Sequence, residues 1–245
     1  MKTMDHFKSP KGFTLIEIIF ALFIGLMMLS AIYVSMTSGQ RSSMAIDQKV
    51  AAQQDARAAL EMMAMEIGMA SYNPTFASGL WKDGPSGTCG NPSANQVYKG
   101  LQEATANSIT VEMDVGATGA VNDENNEILR YIYDAANRQV TRESNCGGSQ
   151  PFIGDFNGNQ RSVKVANDLL GINNGKGNGF PAIFRYYDGR GTELYPQDTA
   201  SDISNIRRID ITLGVQTDEV DPNTHQPRSM IYSSSVIVRN HPINF

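Results

Sequence analysis

The sequence predicts an α+β protein: one long N-terminal helix followed by an antiparallel, β-rich domain. Three observations predict it. No proline occurs between Phe13 and Pro74, and apolar residues recur at helical spacing through much of that interval. Beyond it, short β-branched and aromatic runs are separated by clusters of Gly, Asn, Asp and Pro. Several runs face each other across turn-rich tips, the arrangement of hairpins.

The elements follow in order. From Phe13 to Val34 only Thr14, Glu17, Ser30 and Tyr33 carry polar side-chain groups. A run of roughly 20 such residues crosses a bilayer as a helix, which satisfies its own backbone hydrogen bonds. The polar stretch Thr37–Ser43 reads as the exit into water, and helical patterning then resumes. Ile46, Ala56, Leu60, Met63, Ile67 and Ala70 fall on one face, expected to pack on a sheet of the same chain. Ala58, Met62, Met65 and Met69 form a second stripe, read as further core, with contact to neighbouring subunits as the alternative. Arg57 and Glu61 are spaced as an i, i+4 pair. Asn73-Pro74 stops the helix, which would be ~90 Å long from Phe13 to about Tyr72.

Residues 73–107, rich in Gly, Pro, Ser and Asn, read as a long loop holding Trp81 and Cys89. Strands are expected at Ser108–Val115, then at Ile128–Tyr133 and Gln139–Glu143 as a hairpin. Val163–Leu170 reads as a strand or a short helix, and Gly171–Gly179 as a flexible link. Ala182–Tyr187 runs into a tight turn at Asp188–Gly191, followed by Glu193-Leu194. Ile206–Gln216 and Met230–Arg239 pair across an acidic loop from Asp218 to Pro227.

Of the 245 residues, 41% are hydrophobic, enough for a core after the apolar helix takes its share. The net charge of −5 and the scattered Lys and Arg argue against a nucleic-acid partner, which wants a basic footprint. Lys2, Lys8 and Lys11 against Asp5 give residues 1–12 a basic balance. The positive-inside tendency then keeps that segment in the cytoplasm and puts the C-terminal domain across the membrane. Such a compartment is oxidising, so Cys89 and Cys146, the only cysteines, are expected to form one disulfide. Closing a loop of about 57 residues is worth roughly 4 kcal/mol in the chain-entropy account.

The stretch Lys11-Gly12-Phe13-Thr14-Leu15-Ile16-Glu17 organises the rest. A carboxylate at the head of an apolar run is costly and asks for a partner. A cut between Gly12 and Phe13 would leave the Phe13 amine one helical turn before Glu17, where an acid offsets the unfavourable meeting of amine and helix dipole. The same acid could pair with the Phe13 amine of a staggered neighbour. The plain alternative is an anchor whose shallow Glu17 reaches interfacial water. A secretory cut after the apolar run would fall near Ser35–Gly39, a poor site, and would release a soluble protein.

Gly12-Phe13-Thr14-Leu15-Ile16-Glu17 before an apolar helix resembles the processing site of type IV prepilins and type II secretion pseudopilins. The resemblance implies a type IV pilin-like fold. It implies a leader, 1–12, removed by prepilin peptidase between Gly12 and Phe13, and N-methylation of Phe13. It implies a transmembrane and filament-core helix, 13–35, an amphipathic continuation, 36–72, and a globular β-rich domain, 73–245. Glu17 would guide register during assembly. The aromatic strand and Gly-rich turn at Phe184–Gly191, the paired strands after it and the Val238-Arg239-Asn240 ending resemble PilW-like minor pilins, and more loosely the J-type pseudopilins. The absence of a proline within the membrane helix departs from major pilins and suits a low-copy subunit. Expected partners are the peptidase, other minor and major pilins, the inner-membrane assembly platform and the lipid bilayer. The expected location is the inner membrane with a periplasmic C-terminal domain, then the filament. A J-type secretion pseudopilin and a membrane-anchored periplasmic binding domain are the alternatives.

Catalytic, cofactor and metal motifs do not assemble in the sequence. His6, His225 and His241 are the only histidines, and neither a His triad nor a Cys/His cluster can be built from them. Asp155–Gln160 starts like a calcium loop but lacks its sixth-position glycine and closing glutamate. Asp218, Glu219 and Asp221 form an acidic loop read as solvated, and Gly171–Lys176 lacks the phosphate-loop spacing. A structural, non-enzymatic subunit without cofactor or metal is expected.

Overall fold

In the computed structural model, among the described residues, one α-helix, α1, runs from Leu15 to Gly68, and ten strands follow it. The residues described are 12–84, 89–154, 163–176, 179, 181–221 and 224–241. The chain divides into two compact units, Met1–Ile46 and Asp47–Phe245, with α1 contributing to each.

In the first unit the described residues from Leu15 onward are all helical. Every large apolar side chain from Phe13 to Met36 is exposed, from 53% at Ile18 to 86% at Phe13. Among the described residues of this unit no sheet covers them. By length and composition this stretch can cross a membrane. Its hydroxyls are satisfied on the helix itself. Ser30 Oγ donates to the carbonyls of Leu26 (3.0 Å) or Met27 (2.9 Å), and Thr37 Oγ1 to those of Tyr33 or Val34 (3.0 Å each). Groups satisfied in this way are tolerable in hydrocarbon.

In the second unit α1 buries Ala52, Ala56, Ala59, Leu60, Met63 and Ile67, spaced three or four apart, in the main core. The alanines let the helix approach the sheets closely. Strands β1 (Leu101–Ala104), β2 (Ser108–Glu112), β3 (Ile128–Asp134), β4 (Gln139–Ser144) and β5 (Gln150–Gly154) form an antiparallel meander in chain order. The other sheet is ordered β10-β9-β7-β8, from β7 (Phe184–Tyr187), β8 (Glu193–Leu194), β9 (Arg208–Val220) and β10 (Pro227–Ile237). Strand β6 (Val163–Val165) pairs with β9. Tyr186 ties the sheets together, its hydroxyl donating to the Thr105 carbonyl at 2.6 Å.

The α+β architecture stands as expected, and four details differ. Ile46 is 56% exposed and is not on the packed face. Stepping back from Ala52 at helical spacing reaches Ala45, not Ile46. The methionine stripe is not core: Met62, Met65 and Met69 are 39%, 61% and 39% exposed, because the sheets cover only one side of α1. The expected loop over 73–107 contains a 3-10 turn, Gln96–Tyr98, and strand β1. Strand β5 was not anticipated, and it holds Pro151, which a terminal strand of a sheet accommodates. The ambiguous Val163–Leu170 stretch is β6 followed by a turn. Arg57 lies over the Tyr232 ring, 5.9 Å from its centroid.

Candidate functional site

The local chemistry of the N-terminus is set by four residues, Thr14-Leu15-Ile16-Glu17. Thr14 stands just before the first helical residue, and its Oγ1 accepts the Glu17 N–H at 3.4 Å. Glu17 reaches back. Its Oε2 accepts the Thr14 N–H at 2.8 Å and the Thr14 hydroxyl at 2.8 Å. This reciprocal arrangement is a capping box, which satisfies amide groups that the start of a helix otherwise leaves open. The sequence carries the signal for it, Thr-x-x-Glu, and the reading of Glu17 as a charge in search of an amine passed over it. Glu17 thus has partners before any cut is made, all on its own helix.

Phe13 and Glu17 share one face of the helix with Ile18, Ala21, Leu22 and Gly25. Gly12 has a different character. Among the described residues a Cβ built on it meets no atom within 4 Å, and its φ lies outside the left-handed region.

At its other end α1 carries Glu66, buried and held from the first sheet. Arg142 on β4 donates to it through Nε at 3.1 Å and a terminal nitrogen at 2.8 Å, and the Tyr131 hydroxyl on β3 donates to the same carboxylate. Burial, then the Glu66 charge, pushes the Tyr131 hydroxyl well above its ordinary range, so it stays a donor. Sequence reasoning missed Glu66. Nothing local distinguishes it from an exposed helical glutamate.

Just beyond the helix, Ser71 and His241 meet. Ser71 Oγ lies 2.9 Å from His241 Nδ1 and accepts the Gly100 N–H at 3.0 Å, while His241 Nε2 lies 3.1 Å from the Ile203 carbonyl. A carbonyl acceptor puts the proton on Nε2, so Ser71 donates to Nδ1. Burial, and then the charge of Arg207, pushes the His241 imidazole down to about 4, so it is neutral at pH 7. The amides a nucleophilic serine would need for an oxyanion are already committed: Ser71 N–H to the Glu112 carbonyl and Tyr72 N–H to that of Met69. The pair acts as a clamp between the helix end and the C-terminal segment.

Cys89 and Cys146 are joined in a disulfide spanning 57 residues of sequence. It ties the stretch after α1 to the end of β4, beside a small cluster of Leu80, Trp81, Val121 and Ile128. Asp218 pairs with Lys164 and Asp221 with Arg228, so these two acids of the expected loop point to separate cations. Among the described residues no group of three metal-ligating side chains comes together. The Asp155–Gln160 stretch lies outside the described residues.

A long apolar N-terminal helix followed by antiparallel sheets is consistent with a pilin-like fold. A family profile described as "Prokaryotic N-terminal methylation motif" matches residues 7–33. The match supports a type IV pilin or pseudopilin-like protein, a structural class, and with it processing by prepilin peptidase and anchoring through the N-terminal helix. No curated protein and no solved structure matches the chain.

Proposed function

We propose that this chain is a minor-pilin-like structural subunit of a type IV pilus. It is made with the leader 1–12, inserted in the inner membrane with residues 36–245 in the periplasm, cut between Gly12 and Phe13, and methylated on Phe13. Its helix, 13–35, then passes from bilayer to filament core, where it packs with other minor and major pilins delivered by the assembly platform. Lipid contacts are exchanged for protein contacts, so the net hydrophobic drive is small. Register has to come from packing and from Glu17 meeting a Phe13 amine. The low-copy subunit acts in initiation or at the tip.

The observation that carries this reading is the coincidence at residues 12–17. A glycine with no close contact among the described residues precedes a phenylalanine, an acid and an apolar helix whose large side chains are exposed. Mass spectrometry of the mature N-terminus tests it, with N-methyl-Phe13 expected and a start near Gly39 excluding it. Glu17→Gln separates the two roles of the acid, because glutamine also completes a capping box but carries no charge. Pairing with an amine predicts that Glu17→Gln chains are cut normally yet fail to enter filaments. Normal incorporation would leave the acid a cap alone. Deletion distinguishes a pilus subunit, lost with surface fibres, from a J-type pseudopilin, whose loss traps secreted proteins in the periplasm.

A further inference from the structure

Among the described residues the two sheets end in strands β1, β5, β8 and β10. The outward N–H and C=O groups of an edge strand invite another strand, and three of these edges are guarded against it. Strand β1 has four residues and carries Glu103, β5 holds Pro151, and β8 has two residues, one of them Glu193. Strand β10 is different. It runs for 11 residues, and from Ser229 to Val238 it carries no charge, proline or glycine.

Which groups β10 turns outward follows from the bonds of its neighbour. The Thr212 N–H donates to the Ile183 carbonyl and the Ala166 N–H to that of Gly214, so even-numbered residues of β9 face β7 and β6. Odd ones then face β10. By the register, even residues of β10 close that ladder, as the Val238 N–H does on the Arg207 carbonyl just past its end. Left at the edge are the N–H and C=O groups of Ser229, Ile231, Ser233, Ser235 and Ile237, with no hydrogen bond among the described residues. The same residues set their side chains on the exposed face, Ile231 at 57% and Ile237 at 63%.

We infer that β10 is a self-association edge, which pairs antiparallel with β10 of a second copy of this chain about a two-fold axis at Ser234. An antiparallel partner has to set odd residues against odd ones, and this axis does so. Ile231 of one copy then stands opposite Ile237 of the other, and Ser233 opposite Ser235. Exposed isoleucines cover each other and hydroxyl meets hydroxyl, pairings that stabilise adjoining strands. The Ser235 hydroxyl already donates to Asp210 at 2.6 Å, so it accepts from Ser233 of the other copy. An axis at Ser233 would instead set each isoleucine against a serine. Charge is compatible as well. The acids nearby are paired within their own sheet, Asp210 with Arg208 and Asp221 with Arg228, so neither copy opposes a bare charge to the uncharged run. A two-fold joint uses both edges and closes, whereas head-to-tail addition would leave one bare. The joint is small, and a dissociation constant on the order of 50 µM suits its size. The inference does not depend on the filament role, because association is measured on the isolated chain.

Sedimentation of the full chain in detergent micelles tests this, with crosslinking to fix the register. The wild-type chain should pass from monomer to dimer as its concentration rises. Both native cysteines are in the disulfide, so Ser234→Cys adds the only free thiol. At the axis it faces its own copy across a non-hydrogen-bonded pair, where Cα atoms stand about 4.5 Å apart, within disulfide reach. It should link into dimers under mild oxidation roughly tenfold faster than Ala136→Cys, on the exposed turn between β3 and β4. Ile231→Lys acts twice in a symmetric joint and should weaken association about tenfold or more. Ser233→Pro removes an outward N–H, spares the ladder to β9, and should abolish the dimer. Should that chain fail to fold, Ile231→Lys still decides, because its side chain is exposed. A wild-type chain that stays monomeric at about 500 µM, ten times the expected constant, overturns the proposal. So does a dimer that Ile231→Lys leaves intact, which would lie elsewhere, as between membrane helices, or linking of Ala136→Cys as fast as Ser234→Cys.

Discussion

Glu17 and Glu66 belong to the same helix, and their surroundings are opposite. Glu17 is exposed and, among the described residues, bonded to Thr14 one turn away, in a stretch whose large apolar side chains are all exposed. Glu66 is buried and bonded to Arg142 and Tyr131 on two strands of a sheet, in a stretch whose apolar face is fully packed. An acid held by the fold is a matter of stability. An acid bonded within its own helix turn takes no part in the packing of either sheet. Substitutions around the two should therefore separate processing and assembly from folding.

The largest effect expected is all or none. Gly12→Leu should abolish cleavage, so that intact-mass analysis finds only precursor, while denaturant unfolding of the Asp47–Phe245 unit is unchanged. A loss of stability in that variant would break the contrast, because it would give Gly12 a structural role. Cys89→Ser should cost about 4 kcal/mol in the same unfolding experiment, from the loop it opens. Glu66→Ala should cost roughly 3 kcal/mol, since it removes the buried partner of the half-buried Arg142 and of the Tyr131 hydroxyl. Glu17→Ala, in contrast, should leave the unfolding of the second unit unmoved.

Glu112 gives a pH signature confined to the second unit. Burial raises its carboxyl to about 8, and one of its oxygens has no partner among the described residues. The folded chain thus keeps a proton that the unfolded chain has released. Its contribution to stability is full below about 4.5 and is lost as pH rises towards about 8. His241 works the other way. Its folded value of about 4 lies below the ordinary 6.5, so its contribution is full above 6.5 and is lost as pH falls through about 4. Between these ranges lies a clean window, from about 6.5 to 8, in which only Glu112 of the two titrates. Stability should fall there by about 2 kcal/mol, and Glu112→Gln should flatten the slope. The smallest effect is at the methionines. Met65→Ala should change stability by less than about 0.5 kcal/mol, against roughly 3 kcal/mol for buried Met63→Ala.

What the sequence made legible follows from how local each signal is. Helix α1, the β3–β4 hairpin and the long β9–β10 pair announce themselves by periodicity and turn residues. Strand β1 does not, because Leu101-Gln-Glu-Ala has only its two ends buried, and β5 begins Gln-Pro. The second stripe on α1 looked like core because periodicity reports which residues share a face and not how much of the helix a sheet covers. The capping box was present in the letters and was masked by a more specific question about charge. The Ser71–His241 clamp spans 170 residues and the Glu66–Arg142 pair 76, so no window along the chain holds both members of either.

The clamp at the end of α1 also determines how the second unit would answer a pull. Glu66 is grasped from β3 and β4 of one sheet, Gly68 lies against Val236 on β10 of the other, and Ser71 is hooked to His241 just after β10. A load on this end of the helix would therefore be shared between two sheets instead of falling on one strand.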